Sequence, residues 1–320
     1  MEFQSDSESV ASVQPPVIEK KNGIGKTFRF IEKIDAGSFG EIYHAKDLET
    51  DTNVAIKLEK TDSKQKLLCY EAKILQFINN RKDCIGYPKV YYCSTEEPYN
   101  VMVTELLGPS LEDLFNICGR KFSAKSVALI GLQLIERLEF LHKCYYIHRD
   151  IKPDNVCIGL GKNSKTLYLI DFAFSKRFIQ KDGSHIPFQE GKLFTGTARY
   201  ASINAQKYFE QSRRDDLISL GYSLVYLMRG RLPWQDYRVL QKKEKYEKIL
   251  EKKQNLSLEQ LCAKLPEELF EYMKYCTSLE FEQKPDYIYI KNLFSEMLKK
   301  YNLDKNEDFD WNIVAQEVEY

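Results

Sequence analysis

The sequence lacks an excess of charge of either sign. Its 320 residues carry 47 Lys plus Arg and 47 Asp plus Glu, so the formal net charge is zero. This balance removes the global electrostatic attraction to nucleic acids or anionic membranes that a strongly basic protein has. We therefore expect no nucleic-acid partner, and any basic patch must be local.

Long apolar segments are absent as well. No window approaches the roughly 18 apolar residues of a membrane span, and the N-terminal run MEFQSDSESV has no apolar core of the kind found in signal peptides. The eight cysteines include no C-x-x-C pair, so neither a zinc site nor a disulfide framework is indicated. These absences predict reduced cysteines and no membrane span. We expect an intracellular protein of the cytoplasm, the nucleus or both.

The chain pattern predicts an α+β protein with two lobes and polar ends. Residues 1–25 are rich in Ser, Glu, Gln and Pro, and this composition predicts a disordered tail that is acidic and polar. The folded domain is expected over 26–303, with a small antiparallel β lobe and one helix at about 28–106 and a larger, mainly helical lobe at about 107–303. Residues 304–320 then form a short C-terminal extension.

Apolar periodicity predicts where the strands and helices lie. Alternating or apolar runs predict five strands, at 28–34, 41–45, 53–58, 90–93 and 101–105. Helical spacing predicts helices at 64–78, 123–143, 213–229, 257–278 and 285–301. The predicted order is therefore three strands, one helix, two more strands and then the remaining helices.

The most informative stretch is the run HRDIKPDN that begins at His148, followed by DFA from Asp171. Phosphoryl transfer needs a carboxylate that accepts a hydroxyl proton, a lysine beside the migrating phosphate, and oxygen ligands for Mg²⁺. Asp150 and Lys152 supply the base and the lysine. Asn155 and Asp171 supply the metal ligands. The alternative is a surface loop whose charged residues are merely solvated, but it does not account for these residue types occurring in this order.

A glycine-containing run, DAGSFG at 35–40, lies between two predicted strands, where a turn can bring backbone N–H groups against phosphates. The candidate nucleotide ligands in it are Gly37, Ser38 and Gly40. A dinucleotide-binding fingerprint is disfavoured, because EIY at 41–43 continues as a strand instead of opening a helix. A Walker A loop ending in GIGKT at 23–27 is disfavoured too, since Lys20 replaces its first glycine and no strand precedes it.

A lysine and a glutamate complete the candidate catalytic set. Lys57 ends the apolar run VAIK, where its ammonium can reach phosphates if a carboxylate orients it. Glu71 lies on the next predicted helix and is the candidate partner. An ordinary surface ion pair, worth under about 1 kcal/mol, is the alternative. We favour the functional interpretation, because both groups are costly to bury unless they serve a ligand.

Together these motifs resemble the eukaryotic protein kinase fold over about Phe28 to Asn302. Further runs resemble the casein kinase 1 family in particular: TGTARYASIN from Thr195, QSRRDDL from Gln211, LPWQ from Leu232 and KPDY from Lys284. The resemblance implies a Ser/Thr protein kinase that uses ATP and Mg²⁺, and we expect a monomer. It assigns the catalytic and metal roles to the same residues as the chemistry does.

The resemblance also implies residues that bind nucleotide and substrate. The adenine hinge is expected at Glu105 and Leu107, and the purine pocket is expected to be lined by Ile34, Ile42, Ala55, Thr104, Cys157 and Ile170. Asp216 is expected to hold the catalytic-loop backbone. Family members favour acidic or already phosphorylated substrates, and Arg199 and Lys245 match their anion pocket. A solvated helix face at 242–253 is the alternative for Lys245.

The chain departs from the family pattern at several positions. Ala173 replaces the glycine of DFG and loses glycine's access to positive φ. Asp35 places a negative charge in the phosphate loop, and Asp236 does so near the anion pocket. Thr104 and Cys157 are smaller than the usual residues and predict a roomier purine pocket. We expect an active but slow kinase, and the rival hypothesis is an ATP-binding pseudokinase or scaffold.

Overall fold

The structure, a computed structural model, describes residues 28–37, 40–64, 66–235, 241–300 and 308–313. The chain forms two compact units. Of the described residues, the smaller unit contains those up to Cys69 and Tyr91–Leu106, and the larger contains Tyr70–Val90 and those from Leu107 onward. The predicted disordered tail at 1–25 and most of the predicted extension at 304–320 lie outside the described residues.

The smaller unit contains one antiparallel sheet of five strands in the order β1-β2-β3-β5-β4. The strands are β1 Phe28–Gly37, β2 Gly40–Asp47, β3 Thr52–Lys60, β4 Val90–Glu96 and β5 Tyr99–Glu105. Each predicted strand is present and is longer than predicted, because residues beyond one or both ends of the apolar run also join the sheet. The predicted α+β class, with a small antiparallel β lobe and a larger helical lobe, is confirmed.

Strand alternation separates the two faces of this sheet. One face carries the side chains that form the buried core of the unit: Phe28, Tyr43, Ala45, Val54, Ile56, Leu58, Val101 and Val103. The register pairs Ile42 with Lys57 and Ala55 with Thr104. Side chains two residues apart on a strand point the same way, so these four candidate ligands share the opposite face. Their side chains are partly buried.

The larger unit consists mainly of helices. Its helices, with α1 beginning in the smaller unit, are α1 Leu68–Asn79, α2 Leu111–Ile117, α3 Ala124–Lys143, α4 Ile203–Gln206, α5 Arg213–Arg229, α6 Lys242–Asn255, α7 Leu258–Leu261, α8 Glu267–Ser278 and α9 Tyr287–Lys300. Four short strands form two ladders, β6 Tyr146–Ile147 with β9 Lys176–Arg177 and β7 Val156–Ile158 with β8 Leu167–Leu169. Helix α5 is buried almost all round and packs against α3 and α8, so it forms the centre of the unit.

The predicted helix at 257–278 is wrong as a single element. Helix α7 ends at Leu261, and α8 begins only at Glu267, after Pro266. Proline lacks the N–H that an interior helical position donates, and it disfavours helical geometry in the residue before it. The apolar spacing on both sides of Pro266 suggested a single helix, although the proline marks the break.

The described part of the C-terminal extension belongs to the core of the larger unit. Phe309 is fully buried, its ring stacks on Trp311 at 4.2 Å between centroids, and Trp311 packs against Phe122. The Asp310 carboxylate accepts from the Ser123 N–H at 2.6 Å and from the Ser123 hydroxyl at 2.7 Å, at the N-cap of α3. Packing and capping therefore hold this segment against α3.

None of the described helices combines the length and the apolar character that a bilayer crossing requires.

Candidate active site

The site is built around the loop that joins β6 to β7. A single 3₁₀ turn, Pro153–Asn155, leads into β7, and β7 pairs with β8. The Ile170 N–H donates to the Asn155 carbonyl at 3.0 Å. Since this hairpin is antiparallel, the residue before β7 and the residues after β8 lie at the same end. The pairing therefore brings Asn155 and Asp171, two residues of separate motifs, to one place.

Asp150 is the centre of a compact hydrogen-bond cluster. Its side chain is 3% exposed. One oxygen, Oδ1, accepts from the Thr197 hydroxyl at 2.8 Å, and the other, Oδ2, accepts from the Lys152 ammonium at 2.8 Å. Lys152 also donates to the Thr197 oxygen at 3.2 Å. The carboxylate is therefore fixed in orientation by two donors that themselves contact each other.

The electrostatics of Lys152 follow from this cluster. Burial alone would lower the pKa of the Lys152 ammonium, because a charged group loses water. The Asp150 carboxylate reverses the effect through its charge and its hydrogen bond, so the pKa of Lys152 lies above its usual value of 10.5. A cation is thus held beside the candidate base, where it can meet an incoming phosphoryl group.

Asp216, on α5, holds the backbone of the catalytic loop. Its Oδ2 accepts from the His148 N–H at 2.8 Å, and its Oδ1 accepts from the Arg149 N–H at 2.8 Å. Burial by itself would raise the pKa of Asp216, but hydrogen bonds from the His142 ring and the backbone hold it below its usual value. Arg149 has φ of 70°, a strained conformation that these contacts stabilise.

A buried chain of side chains supports Asp216 from behind. The His142 ring bonds to Asp216 Oδ2 through Nε2 at 3.0 Å and to the Tyr287 hydroxyl through Nδ1 at 2.6 Å. The carboxylate can only accept, so Nε2 carries the proton, and Nδ1 accepts from Tyr287. Burial lowers the pKa of His142 and keeps the ring neutral. Helices α3, α5 and α9 thereby converge on the catalytic loop.

The chemistry of Asn155 and Asp171 fits Mg²⁺. Nδ2 of Asn155 donates to the Asp150 carbonyl at 2.9 Å and to Asp150 Oδ2 at 3.2 Å, which turns its amide oxygen away from Asp150. Among the described residues, no group of three or more His, Cys, Asp and Glu could hold a metal. One amide and one carboxylate suit Mg²⁺, which keeps water and phosphate oxygens as its other ligands.

The candidate partners Lys57 and Glu71 lie in different units. Lys57 is on β3, on the partly buried face of the sheet described above. Glu71 is 3% exposed on α1, and its Oε1 accepts from the Phe172 N–H at 3.2 Å. Glu71 is therefore held against the segment that carries Asp171.

The predicted nucleotide residues are divided between the units. The smaller unit holds Ile34, Gly37, Gly40, Ile42, Ala55, Thr104 and Glu105, and the larger holds Leu107, Cys157 and Ile170. In the larger unit, Cys157 is buried on β7, and burial raises the pKa of its thiol to about 12, so it is inert packing and not a reactive thiol. Ser38 lies outside the described residues.

The two residues of the predicted anion pocket lie on separate elements, Arg199 shortly before α4 and Lys245 on α6. The Arg199 guanidinium lies over the rings of Tyr200 and Tyr226, at 5.6 and 5.8 Å from their centroids. Lys245 is exposed on α6. Asp236 lies outside the described residues. The role of this pair stays a prediction.

Ala173 is accommodated without a left-handed backbone. The residue of this motif that has positive φ is Asp171, at 63°, whereas Ala173 is buried and does not. The glycine-specific conformation is therefore not required at position 173 in this arrangement.

Sequence reasoning missed three residues that shape the site: Thr197, His142 and Tyr287. Thr197 lies within the run TGTARYASIN, but its contact with Asp150 spans 47 residues and has no local signal. The His142 to Tyr287 contact spans 145 residues. Motif spacing cannot reveal such pairs.

Comparison with known protein families supports these observations. The family model described as "Protein kinase domain" matches residues 28–300, which is most of the chain. The match includes the sheet of the smaller unit, the catalytic loop and the helices up to α9.

Proposed function

Because the chain belongs to the protein kinase domain family, we propose that it transfers the γ-phosphate of ATP to serine and threonine hydroxyls of proteins. Membership implies kinase activity with ATP and Mg²⁺ in general. The observation that carries the finer proposal is the Asp150 carboxylate, buried but held between Lys152 and Thr197. A fixed carboxylate next to a cation is what a hydroxyl nucleophile and a phosphoryl group require.

In the proposed step the substrate hydroxyl oxygen forms a bond to the γ-phosphorus. The bond from that phosphorus to the bridging oxygen of ATP breaks, and ADP leaves with the bonding electrons. Asp150 accepts the hydroxyl proton, and Lys152 donates to the transferring phosphoryl oxygens. Asn155 and Asp171 would hold Mg²⁺, which would neutralise part of the phosphate charge.

Phosphate transfer from radiolabelled MgATP to an acidic serine peptide tests this proposal. Asp150→Asn keeps the size of the side chain but removes the base, and we expect kcat to fall about 10²- to 10⁴-fold. Asp154→Asn is the matched control, because Asp154 is exposed in the same loop. ATP binding without any transfer by the wild-type protein would establish the pseudokinase alternative.

We also propose that substrates are acidic or primed by phosphorylation, as in casein kinase 1. Arg199 supports this proposal because its guanidinium is half-buried and held over two rings, which reduces the entropy it loses on binding an anion. Lys245 adds an exposed cation on α6. Charge-assisted hydrogen bonds from these groups would favour substrates that have a phosphate or carboxylate near the target serine or threonine.

Paired peptides separate this preference from catalysis. The peptides differ only in having phosphoserine or alanine three residues before the target serine. Lys245→Ala should reduce the preference for the phosphorylated peptide and leave kcat on the alanine peptide unchanged. Lys252→Ala, an exposed lysine on the same helix, should change neither value. An equal rate on both peptides with the wild-type protein would exclude primed recognition.

A further inference from the structure

Helix α6 contains a buried lysine among exposed ones. Its sequence is KKEKYEKILEKKQN, and only Ile249 and Lys253 are buried. They are four residues apart and therefore share the packed face of the helix. Lys253 is 4% exposed. Lysine is rarely buried to this extent unless its ammonium has partners, because losing water is costly.

The Lys253 ammonium has three hydrogen-bond acceptors. Nζ donates to the Ala198 carbonyl at 2.8 Å, to the Ala201 carbonyl at 2.6 Å and to Gln206 Oε1 at 2.8 Å. An ammonium has three N–H donors and no acceptor, so donors and acceptors match in number. All three acceptors are neutral, and within the described part of the chain Lys253 forms no ion pair.

Two aromatic rings complete the enclosure. The ammonium lies 4.9 Å from the centroid of Tyr222 and 5.2 Å from that of Trp234, which is a favourable arrangement for a cation. Trp234 also donates from Nε1 to the Arg199 carbonyl at 2.8 Å. Three carbonyls of the segment that runs from 198 to 201 are therefore held by side chains distant in sequence.

This segment follows directly after Thr197. Thr197 contacts both Asp150 and Lys152, so its position depends on the backbone that continues into residue 198. On the other side, Gly196 has φ of 107° and packs so closely on the loop that an added Cβ would meet the Arg149 carbonyl oxygen at 2.5 Å. Thr197 is thus held between Gly196 on one side and the segment bound by Lys253 on the other.

We propose that Lys253 is a positioning residue of the phosphotransfer site. Its ammonium holds residues 198–206 in the conformation that keeps Thr197 on Asp150 and Lys152. The effect of Lys253 on the reaction rate rests on the proposed function, whereas its effect on the order of residues 198–206 does not. Activation loops are commonly ordered by phosphorylation. A buried lysine orders this segment without that modification.

The charge on Lys253 is part of this device. A neutral amine has two N–H groups for three acceptors, so deprotonation leaves one acceptor without a donor. The groups around it are the two carbonyls, Gln206 from α4, Tyr222 from α5 and the indole of Trp234. Burial lowers the pKa of Lys253 well below 10.5 and raises that of Tyr222, so Lys253 titrates first. Activity should therefore fall at alkaline pH as the segment loosens.

The first experiment compares Lys253→Met with Lys252→Met. Both remove a lysine from α6, but Lys252 is exposed. We expect Lys253→Met to lower kcat about tenfold to a hundredfold, because small misplacements at a reacting centre have effects of this size. KM for ATP should stay within about twofold. Hydrogen exchange of amides 198–206 should accelerate at least about tenfold in Lys253→Met and remain unchanged in Lys252→Met.

Hydrogen exchange also separates this inference from the proposed function. If the wild-type protein transfers no phosphate, faster exchange in Lys253→Met still supports the positioning role. Unchanged exchange and unchanged kcat in a folded Lys253→Met protein would overturn it.

A milder variant serves if Lys253→Met does not fold. Gln206→Met removes one acceptor and leaves two, which a neutral amine can satisfy. The wild-type protein should lose kcat reversibly as pH rises towards 10.5, and this loss should be smaller in Gln206→Met. Identical alkaline profiles of the two proteins would refute a role for the charged form of Lys253.

Discussion

The contact between Tyr287 and His142 offers a test of how the larger unit supports the catalytic loop. The Tyr287 hydroxyl donates to His142 Nδ1 at 2.6 Å, and His142 Nε2 donates to Asp216. Tyr287→Phe removes only the hydroxyl, since the phenyl ring keeps the ring contact at 6.0 Å between centroids. The substitution leaves a buried nitrogen lone pair without a donor.

The expected cost follows from burial. The His142 side chain is 2% exposed and Tyr287 is 6% exposed, so water cannot replace the lost donor. Leaving a buried acceptor unsatisfied costs about 1–3 kcal/mol. We expect the free energy of unfolding in urea at pH 8 to fall by about that amount. Tyr289→Phe, on the same helix and 37% exposed, should change it by less than about 0.5 kcal/mol.

A double-mutant cycle sharpens the test. In a His142→Phe background the Tyr287 hydroxyl has already lost its acceptor, so Tyr287→Phe should then cost almost nothing. The coupling between the two substitutions should equal about 1–3 kcal/mol. An equal loss in both backgrounds would show that Tyr287 stabilises the fold by some route other than His142, and the reasoning would fail.

The pH dependence gives an independent check of the same contact. Burial lowers the pKa of His142 below its usual 6.5, so the native state takes up a proton less readily than the unfolded state. The stability from neutral His142 is thus fully present above pH 6.5 and is lost as pH falls below it. His142→Phe should therefore reduce the loss of unfolding free energy that occurs as pH falls from 7.5 to below 6.5. If that loss is the same in His142→Phe as in the wild-type protein, His142 is not the group responsible.

Three further substitutions test the geometry of the site. Thr197→Val removes a donor to the charged Asp150, worth about 1.5–3 kcal/mol, so kcat should fall roughly tenfold to 150-fold while Thr197→Ser retains most activity. Gly196→Ala should lower the free energy of unfolding by more than about 2 kcal/mol, because the new Cβ would lie 2.5 Å from a carbonyl oxygen. Gly183→Ala is the control and should cost less, because Gly183 also has positive φ but a Cβ there meets nothing within 4 Å. Ala173→Gly should leave kcat within about twofold, since position 173 has no positive φ, and should lower stability by about 0.5–1 kcal/mol; a tenfold faster enzyme would refute this.

The strands and the catalytic loop could be predicted because their signals are local. Alternation along β3 places Ala55 and Lys57 on one face whatever else the chain does. The helix prediction at 257–278 is wrong because two local signals conflict there: the apolar spacing continues on both sides of Pro266, but the proline breaks the helix. The packing of Phe309 and Trp311 had no local signal, because aromatic residues near a chain end are equally compatible with an exposed segment.

The sequence alone determined the residue types that perform the chemistry and their grouping. Asp150, Lys152 and Asn155 lie within six residues of one another, and one antiparallel hairpin adds Asp171. Only the tertiary structure decided what holds them in place. Thr197 and Tyr287 reach their partners across 47 and 145 residues. Lys253 reaches its three partners across 47 to 55 residues. Such contacts depend on which helix faces pack together, and a buried lysine becomes recognisable only when three carbonyl or amide oxygens converge on its ammonium.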